Sequence, residues 1–253
     1  MHLLGTQTTT KVLGAARSTN EDCFSPHVKK EVAISRFVMC DGATTGFAGG
    51  AWAQALAAAI SSRDGLIDWQ AVVSCARDSY TARFHPEQMN VFKQQNFMKG
   101  SSSTVLLVEQ DAINDRLIRL TAVGDSCCFA MRPDGVILKA FPISDEADFA
   151  KDPYLVTCTD EGIRCLFDEQ YKDLFWRCDT WDFSGLKGCR LVCATDAVSR
   201  WIEQNRDKPS QIAGLVNFAL HKKRRTEYSR RIQWLREHDG MPTDDSTIAI
   251  LSI

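Results

Sequence analysis

The chain has 253 residues, 44% of them hydrophobic and 25% charged, with a formal net charge of −2. Such a composition suits a globular chain that buries a sizeable core without disulfides or a structural metal. It gives no global attraction to nucleic acid or to an anionic membrane, so neither is an expected partner.

Residues 32–40 read as a buried strand running into Asp41, and 42–50, rich in Gly, Thr and Ala, as a loop. A helix is expected over 51–60, with Trp52, Leu56 and Ile60 at helical spacing. A second, amphipathic helix is expected over 69–84, ended by Pro86. Residues 103–109 and 117–123 are β-rich runs, and 127–132 continues after Gly124-Asp125-Ser126. Pro133-Asp134-Gly135 makes a favourable turn and predicts a hairpin over 129–138. Residues 142–188 show no sustained period and read as a surface flap. Strands are expected at 190–195 and 247–253, with helix over 210–238 ending near Gly240 and Pro242. Strands joined by tight turns imply antiparallel sheets, and helices between groups of strands imply covering layers.

The ten cysteines include no C-x-x-C pair. Cys40, Cys128, Cys158 and Cys193 lie in or beside apolar runs, as small hydrophobes do. This argues against a zinc site and for free thiols. With no apolar run long enough to span a bilayer and no signal peptide, the expected location is a reducing cytoplasm.

Five short acidic segments stand beside these apolar runs. They are Arg17-Ser18-Thr19-Asn20-Glu21-Asp22, Asp41-Gly42, Gly124-Asp125-Ser126, Ala194-Thr195-Asp196 and Asp244-Asp245-Ser246-Thr247. Carboxylates gathered at strand ends repel one another unless a positive charge lies between them. Hard divalent cations such as Mg²⁺ or Mn²⁺ meet that need, because they prefer oxygen ligands. The spread of the segments across the chain favours one domain over 1–253. Arg17, just before the first acidic pair, has a planar guanidinium able to hold two phosphate oxygens. A two-metal hydrolase is the expectation.

In this order the segments resemble the type-2C metal-dependent Ser/Thr protein phosphatases, the PPM family, with Gly100 to Thr104 similar to that family's G-S-T strand entry. The resemblance implies an α+β fold, a four-layer α-β-β-α sandwich of two stacked antiparallel sheets flanked by helices. It implies two Mn²⁺ or Mg²⁺ ions bridged by Asp41. Asp196 and Asp244 would hold the first ion, and Glu21 with the Gly42 carbonyl would serve the second. Arg17 would grip the phosphoryl group, and Asp22 would orient the attacking water. The implied reaction is hydrolysis of phosphoserine or phosphothreonine by a metal-bridging hydroxide. The implied partners are phosphorylated protein substrates and a cognate Ser/Thr kinase.

Three departures from the family pattern bear on function. The stretch from Ala43 to Gly50 lacks the histidine that many members carry, and none of the five histidines lies in a motif. Leaving-group protonation is therefore expected from water, which favours aryl phosphates. Arg200 stands where many relatives place an aspartate that, with the residue matching Asp125, holds a third metal. That third site is expected to be weak or absent. The 142–188 segment carries no readable motif. The basic run from His221 to Arg225, with Arg230 and Arg231, reads as a solvated helix face, or more sharply as a dock for an acidic or phosphorylated partner.

Two other functions remain open from sequence: a catalytically weak phosphatase-like binding or signalling module, and a small-molecule phosphoester hydrolase. Retention of every metal carboxylate and of Arg17 argues against the first.

Overall fold

In a computed structural model, residues 1–11, 20–29, 33–186, 188–221 and 225–253 are described. Arg17 and residues 222–224 of the basic run lie outside these. In chain order the strands are β1 (His2–Thr9), β2 (Asp22–Lys29), β3 (Ala33–Asp41), β4 (Ser102–Ser103), β5 (Val105–Gln110), β6 (Leu117–Val123), β7 (Cys127–Met131), β8 (Ile137–Phe141), β9 (Val156–Thr157), β10 (Arg177–Asp182), β11 (Arg190–Ala194) and β12 (Ser246–Ser252). The helices are α1 (Gly49–Ser61), α2 (Trp69–Thr81), α3 (Val91–Lys99), α4 (Asp160–Phe167), α5 (Lys172–Phe175), α6 (Asp196–Gln204), α7 (Pro209–Leu220) and α8 (Arg225–His238).

Two five-stranded antiparallel sheets are stacked, one ordered β1-β12-β11-β7-β8 and the other β10-β6-β5-β3-β2. The period-2 alternation of strands sorts their side chains into layers. On β3, Phe37 and Met39 join the core between the sheets, together with Leu106, Leu120, Cys128, Leu191 and Leu251. Val38 and Cys40 point the other way, onto Trp52, Leu56 and Ile60 of α1 and Val72, Val73 and Ala76 of α2. The outer face of the first sheet buries Phe129, Val192 and Ile250 against Val198 and Trp201 of α6, Ile212 and Leu215 of α7, and Ile232 and Leu235 of α8. Truncating a fully buried aromatic such as Trp201 to alanine removes about 3–5 kcal/mol. The layers are thus α-β-β-α, as the resemblance implies.

Strands with both faces buried match the sequence expectation closely. The hairpin also forms: Gly135, at φ +90°, donates from N to Arg132 O at 2.9 Å between β7 and β8. Strands β1, β2 and β10 have no counterpart in that expectation, and all three lie at sheet edges. Edge strands bury only one face or part of it, so their pattern is weak. Pro26 within β2 is compatible with the edge, where a missing N–H breaks no ladder.

Two expectations need correction. The expected helix over 210–238 is two helices, α7 and α8. One straight helix of that length would be about 43 Å long, roughly twice a seven-residue strand, and would overrun the sheet. Helices α3, α4 and α6 are further additions to the sequence reading. Helix α3 buries none of its residues and therefore shows no apolar stripe, while Asn90 caps it by accepting from Lys93 N at 2.9 Å.

The 142–188 segment holds more regular structure than a flap. It contains β9, which pairs with β4, then α4 and α5, and β10, whose Trp181 is only 2% exposed in the core between the sheets. All ten cysteines are free. Among the described residues, no helix is long and apolar enough to cross a membrane.

Candidate active site

The strand registers bring the acidic segments to one end of the sandwich. Asp22 opens β2 and Asp41 closes β3, and the two are direct register partners. Asp196 follows β11 and Asp244 precedes β12; these strands pair antiparallel, with Ala194 opposite Ile248. Cys127, at the start of β7, lies opposite Ala194 on the other side. Asp125 sits in the turn from β6 to β7, where the chain crosses from one sheet to the other. Asp22, Asp41, Asp125, Asp196 and Asp244 therefore gather from both sheets.

A layer of hydroxyls ties the sheets together beneath them. Thr195 Oγ1 donates to Asp22 Oδ2 at 3.2 Å and accepts from Thr247 N at 3.1 Å. Thr247 Oγ1 donates to Thr8 Oγ1 at 2.8 Å, and Asn20 Nδ2 donates to the same Thr8 oxygen at 2.8 Å. On the second sheet, Asp41 N donates to Thr104 Oγ1 at 3.0 Å, and that hydroxyl is 2.8 Å from Ser126 Oγ. These Ser and Thr side chains are site residues that sequence reasoning left without a role. Thr104, Ser126, Thr195 and Thr247 had membership of the motifs as their signal, and Thr8 had none.

The carboxylates strain against one another. Burial, followed by the charge of Asp245, pushes the Asp22 carboxyl up to about 7, although hydroxyls of Thr247 and Thr195 pull the other way. Burial and the carboxylates of Asp125, Asp244 and Asp22 push Asp196 up to about 7. Asp41 is raised by burial and by Asp22, Asp196 and Asp125. Asp125 is raised by burial and by Asp244. Asp22 Oδ1 is buried and meets no donor. The Asp22 and Asp41 carboxyls lie against each other, and such a pair shares a hydrogen only when one of them is protonated.

The outer rim is arranged differently. Asp245, 2% exposed, accepts from Lys11 N at 2.7 Å on one oxygen and from Glu21 N at 2.6 Å on the other. Lys11 Nζ lies 3.3 Å from Glu21 Oε2. Arg236 of α8 donates to Thr10 O at 3.1 Å, Lys11 O at 3.2 Å and Ser246 Oγ at 3.0 Å, and also to Asp244 O. None of Lys11, Asp245 or Arg236 received a role from sequence, and only Asp245 had a signal, as part of the last motif.

Gly42 is required by close packing. A Cβ there would lie 2.4 Å from Gly49 C and O, so the start of α1 could not approach. A Cβ on Gly49 would in turn meet Glu21 Oε1 at 3.1 Å. Two glycines thus let the Glu21 carboxylate reach the first turn of α1.

An all-oxygen donor set, mutual repulsion and an orphaned buried oxygen fit a hard divalent cation. Among the described residues, no three Asp, Glu, His or Cys side chains already surround one point as a cation cage. The Glu21 carboxylate is engaged by Lys11, with Asp245 and Asp244 as its other charged neighbours. Asp22, not Glu21, stands against Asp41. Arg17 lies outside the described residues, and Arg200 Nε is buried without an acceptor. Beside Asp125 opens a cleft of about 450 Å³, whose walls include Lys151, Tyr154, Phe175 and Arg177. The Tyr154 and Phe175 rings are 4.9 Å apart.

No protein-family model matches the sequence, and no curated protein is significantly similar to it. Solved structures do match along nearly the whole chain. The catalytic domain of serine threonine protein phosphatase PstP, in complex with two manganese ions, has a TM-score of 0.56 and 16% identity, covering 97% of this chain and 95% of that one. The photosystem II phosphatase PBCP has a TM-score of 0.60 and 14% identity, covering 98% and 97%. Serine/threonine phosphatase Stp1 from Staphylococcus aureus has a TM-score of 0.54 and 14% identity, covering 98% and 94%. The resemblance carried by the motifs holds at the level of the fold.

Proposed function

We propose that the chain is a metal-dependent phosphoprotein phosphatase acting on phosphoserine or phosphothreonine, with 1–253 as one catalytic unit. The observation that carries this reading is the convergence of five aspartates from both sheets at one end, in a fold that PstP uses around two manganese ions. Mn²⁺ or Mg²⁺ would be held by Asp41, Asp196 and Asp244, with Glu21, the Gly42 carbonyl and Asp125 as further oxygen donors. Such ions supply Lewis acidity, which acidifies water and neutralises phosphoryl charge.

The chain's own groups would supply position. Thr195 fixes Asp22 Oδ2, so Oδ1 is the oxygen left to orient the attacking water. Arg17 would grip two phosphoryl oxygens, as a guanidinium does best. The cleft beside Asp125, with an aromatic wall and charges of both signs, supports an extended peptide substrate over a small phosphoester. Ten free thiols support a reducing compartment such as the cytoplasm. A cognate Ser/Thr kinase would be the functional counterpart.

The test is phosphate release from a phosphothreonine peptide and from small phosphoesters, with Mn²⁺, with Mg²⁺ and with chelator. Metal-dependent release from the peptide, lost in Asp41→Asn, is expected. Release only from small esters would replace the substrate class, and no release at all, with Mn²⁺ still bound, would favour a binding module. Since no histidine lies in the site motifs, aryl phosphate is expected to be turned over at least as fast as phosphoserine peptide.

A further inference from the structure

We propose that Lys11 is a built-in cation of the rim, which holds Glu21 in the cation-free protein and must swing away before a divalent ion binds there. The proposal rests on the metal reading given above and concerns how that site is loaded.

The placement of Lys11 does not depend on a wandering side chain. Its backbone is fixed on both sides: N–H to Asp245 Oδ1 at 2.7 Å, and carbonyl from Arg236 Nη1 at 3.2 Å. The second oxygen of the same Asp245 fixes the backbone N of Glu21 at 2.6 Å. One buried carboxylate therefore sets the two residues side by side, and the ammonium reaches Glu21 Oε2 at 3.3 Å. Its other charged neighbours are Asp244 and Asp245.

An ammonium and a divalent ion compete for the same oxygens, because two cations at ion-pair distance repel strongly. Lysine can yield. Its side chain is 36% exposed, and its flexible stem can carry the charge to water. Among the described residues the inner aspartates have no such substitute: carboxylates, not cations, are the charges acting on Asp41 and Asp196. No described cation competes for the inner position, while the Glu21 position is shared with Lys11. The consequence is ordered loading, with a tight inner site and a weaker site at Glu21 whose affinity Lys11 sets.

The experiment is a Mn²⁺ titration followed by electron paramagnetic resonance of the free ion, on wild type, Lys11→Met, Lys11→Arg and Asp41→Asn. Backbone contacts to Asp245 and Arg236 survive every change at position 11. Wild type is expected to show one tight and one weaker ion. Lys11→Met should tighten the weaker ion about tenfold and leave the tight one unchanged, while Lys11→Arg should stay close to wild type. An unchanged or weakened isotherm in Lys11→Met overturns the proposal. So does a raised KM for phosphopeptide with an unchanged isotherm, which would make Lys11 a phosphate contact. If Asp41→Asn abolishes tight binding while Lys11→Met matches wild type, only this inference falls. If Asp41→Asn binds Mn²⁺ like wild type, the metal reading falls first.

Discussion

The acidic end of the sandwich has a floor and a rim, and they are neutralised in different ways. On the floor, Asp22, Asp41, Asp125 and Asp196 come from strand ends of both sheets, lose water, and raise one another's proton affinity. Among the described residues, hydroxyls and backbone N–H groups are their hydrogen-bond partners. On the rim, Glu21, Asp244 and Asp245 lie among protein cations and fixed donors: the Lys11 ammonium, the Arg236 guanidinium and two backbone N–H groups. The rim is compensated by the protein's own groups as long as Lys11 stays on Glu21. Among the described residues, no cation of the protein is among the charges acting on the floor.

The largest effect expected from breaking this contrast is on the floor. Asp196→Asn keeps the shape and the Oδ1 contact to Ala197 N but removes the charge proposed to hold an ion. Turnover of a phosphothreonine peptide with Mn²⁺ should fall about a thousandfold. Thermal unfolding in chelator should be unchanged or shifted upward, since a repulsive charge has gone. A variant that lost both activity and stability would place Asp196 with the rim.

The rim should answer in the opposite sense. Arg236→Met deletes donors to Thr10 O, Lys11 O, Asp244 O and Ser246 Oγ. Several partly buried hydrogen bonds from a charged group are lost, so unfolding in urea should show a loss of about 3 kcal/mol, with or without metal. Loss of activity at full stability would argue against a structural rim.

The smallest effect per step is on pH dependence, and it sharpens the floor's side of the contrast. In the cation-free folded chain Asp22 and Asp196 titrate near 7, against an ordinary carboxyl value of 3.8 for the unfolded chain. The folded state holds extra protons between these values. Stability is therefore greatest below about pH 4 for these groups and is lost as pH rises through about 7, by at most about 1.4 kcal/mol per pH unit for each proton. Melting temperatures in chelator should fall from pH 5 to 8, and excess Mn²⁺ should cancel the fall. A rise with pH in chelator would show that these carboxylates are already compensated.

Much of this molecule is legible in its sequence, and the boundary is physical. Central strands such as β3, β5 and β7 are buried on both faces and give continuous apolar runs. Helices α1 and α2 each bury a stripe with helical spacing. Edge strands β1, β2 and β10 bury less and leave little pattern, and α3, which has no fully buried residue and packs through Phe97, leaves none. Of the candidate site, Asp22, Asp41, Asp125, Asp196 and Asp244 stand out because acidic residues beside apolar runs are conspicuous. Lys11 and Arg236 do not, since a basic residue on a half-exposed face is the commonest thing a surface offers, and Asp245 shows only as a neighbour of Asp244 in the last motif.

By itself, the sequence determined the layered fold and the residues worth suspecting, because burial patterns and acidic strand ends are local properties written in neighbouring positions. Only the tertiary structure decided that Asp22 faces Asp41, that Thr195 of one sheet holds an aspartate of the other, and that Asp245 sets Lys11 beside Glu21. Those relations join positions as far apart as 11 and 245, and strand register, not spacing along the chain, brings them together.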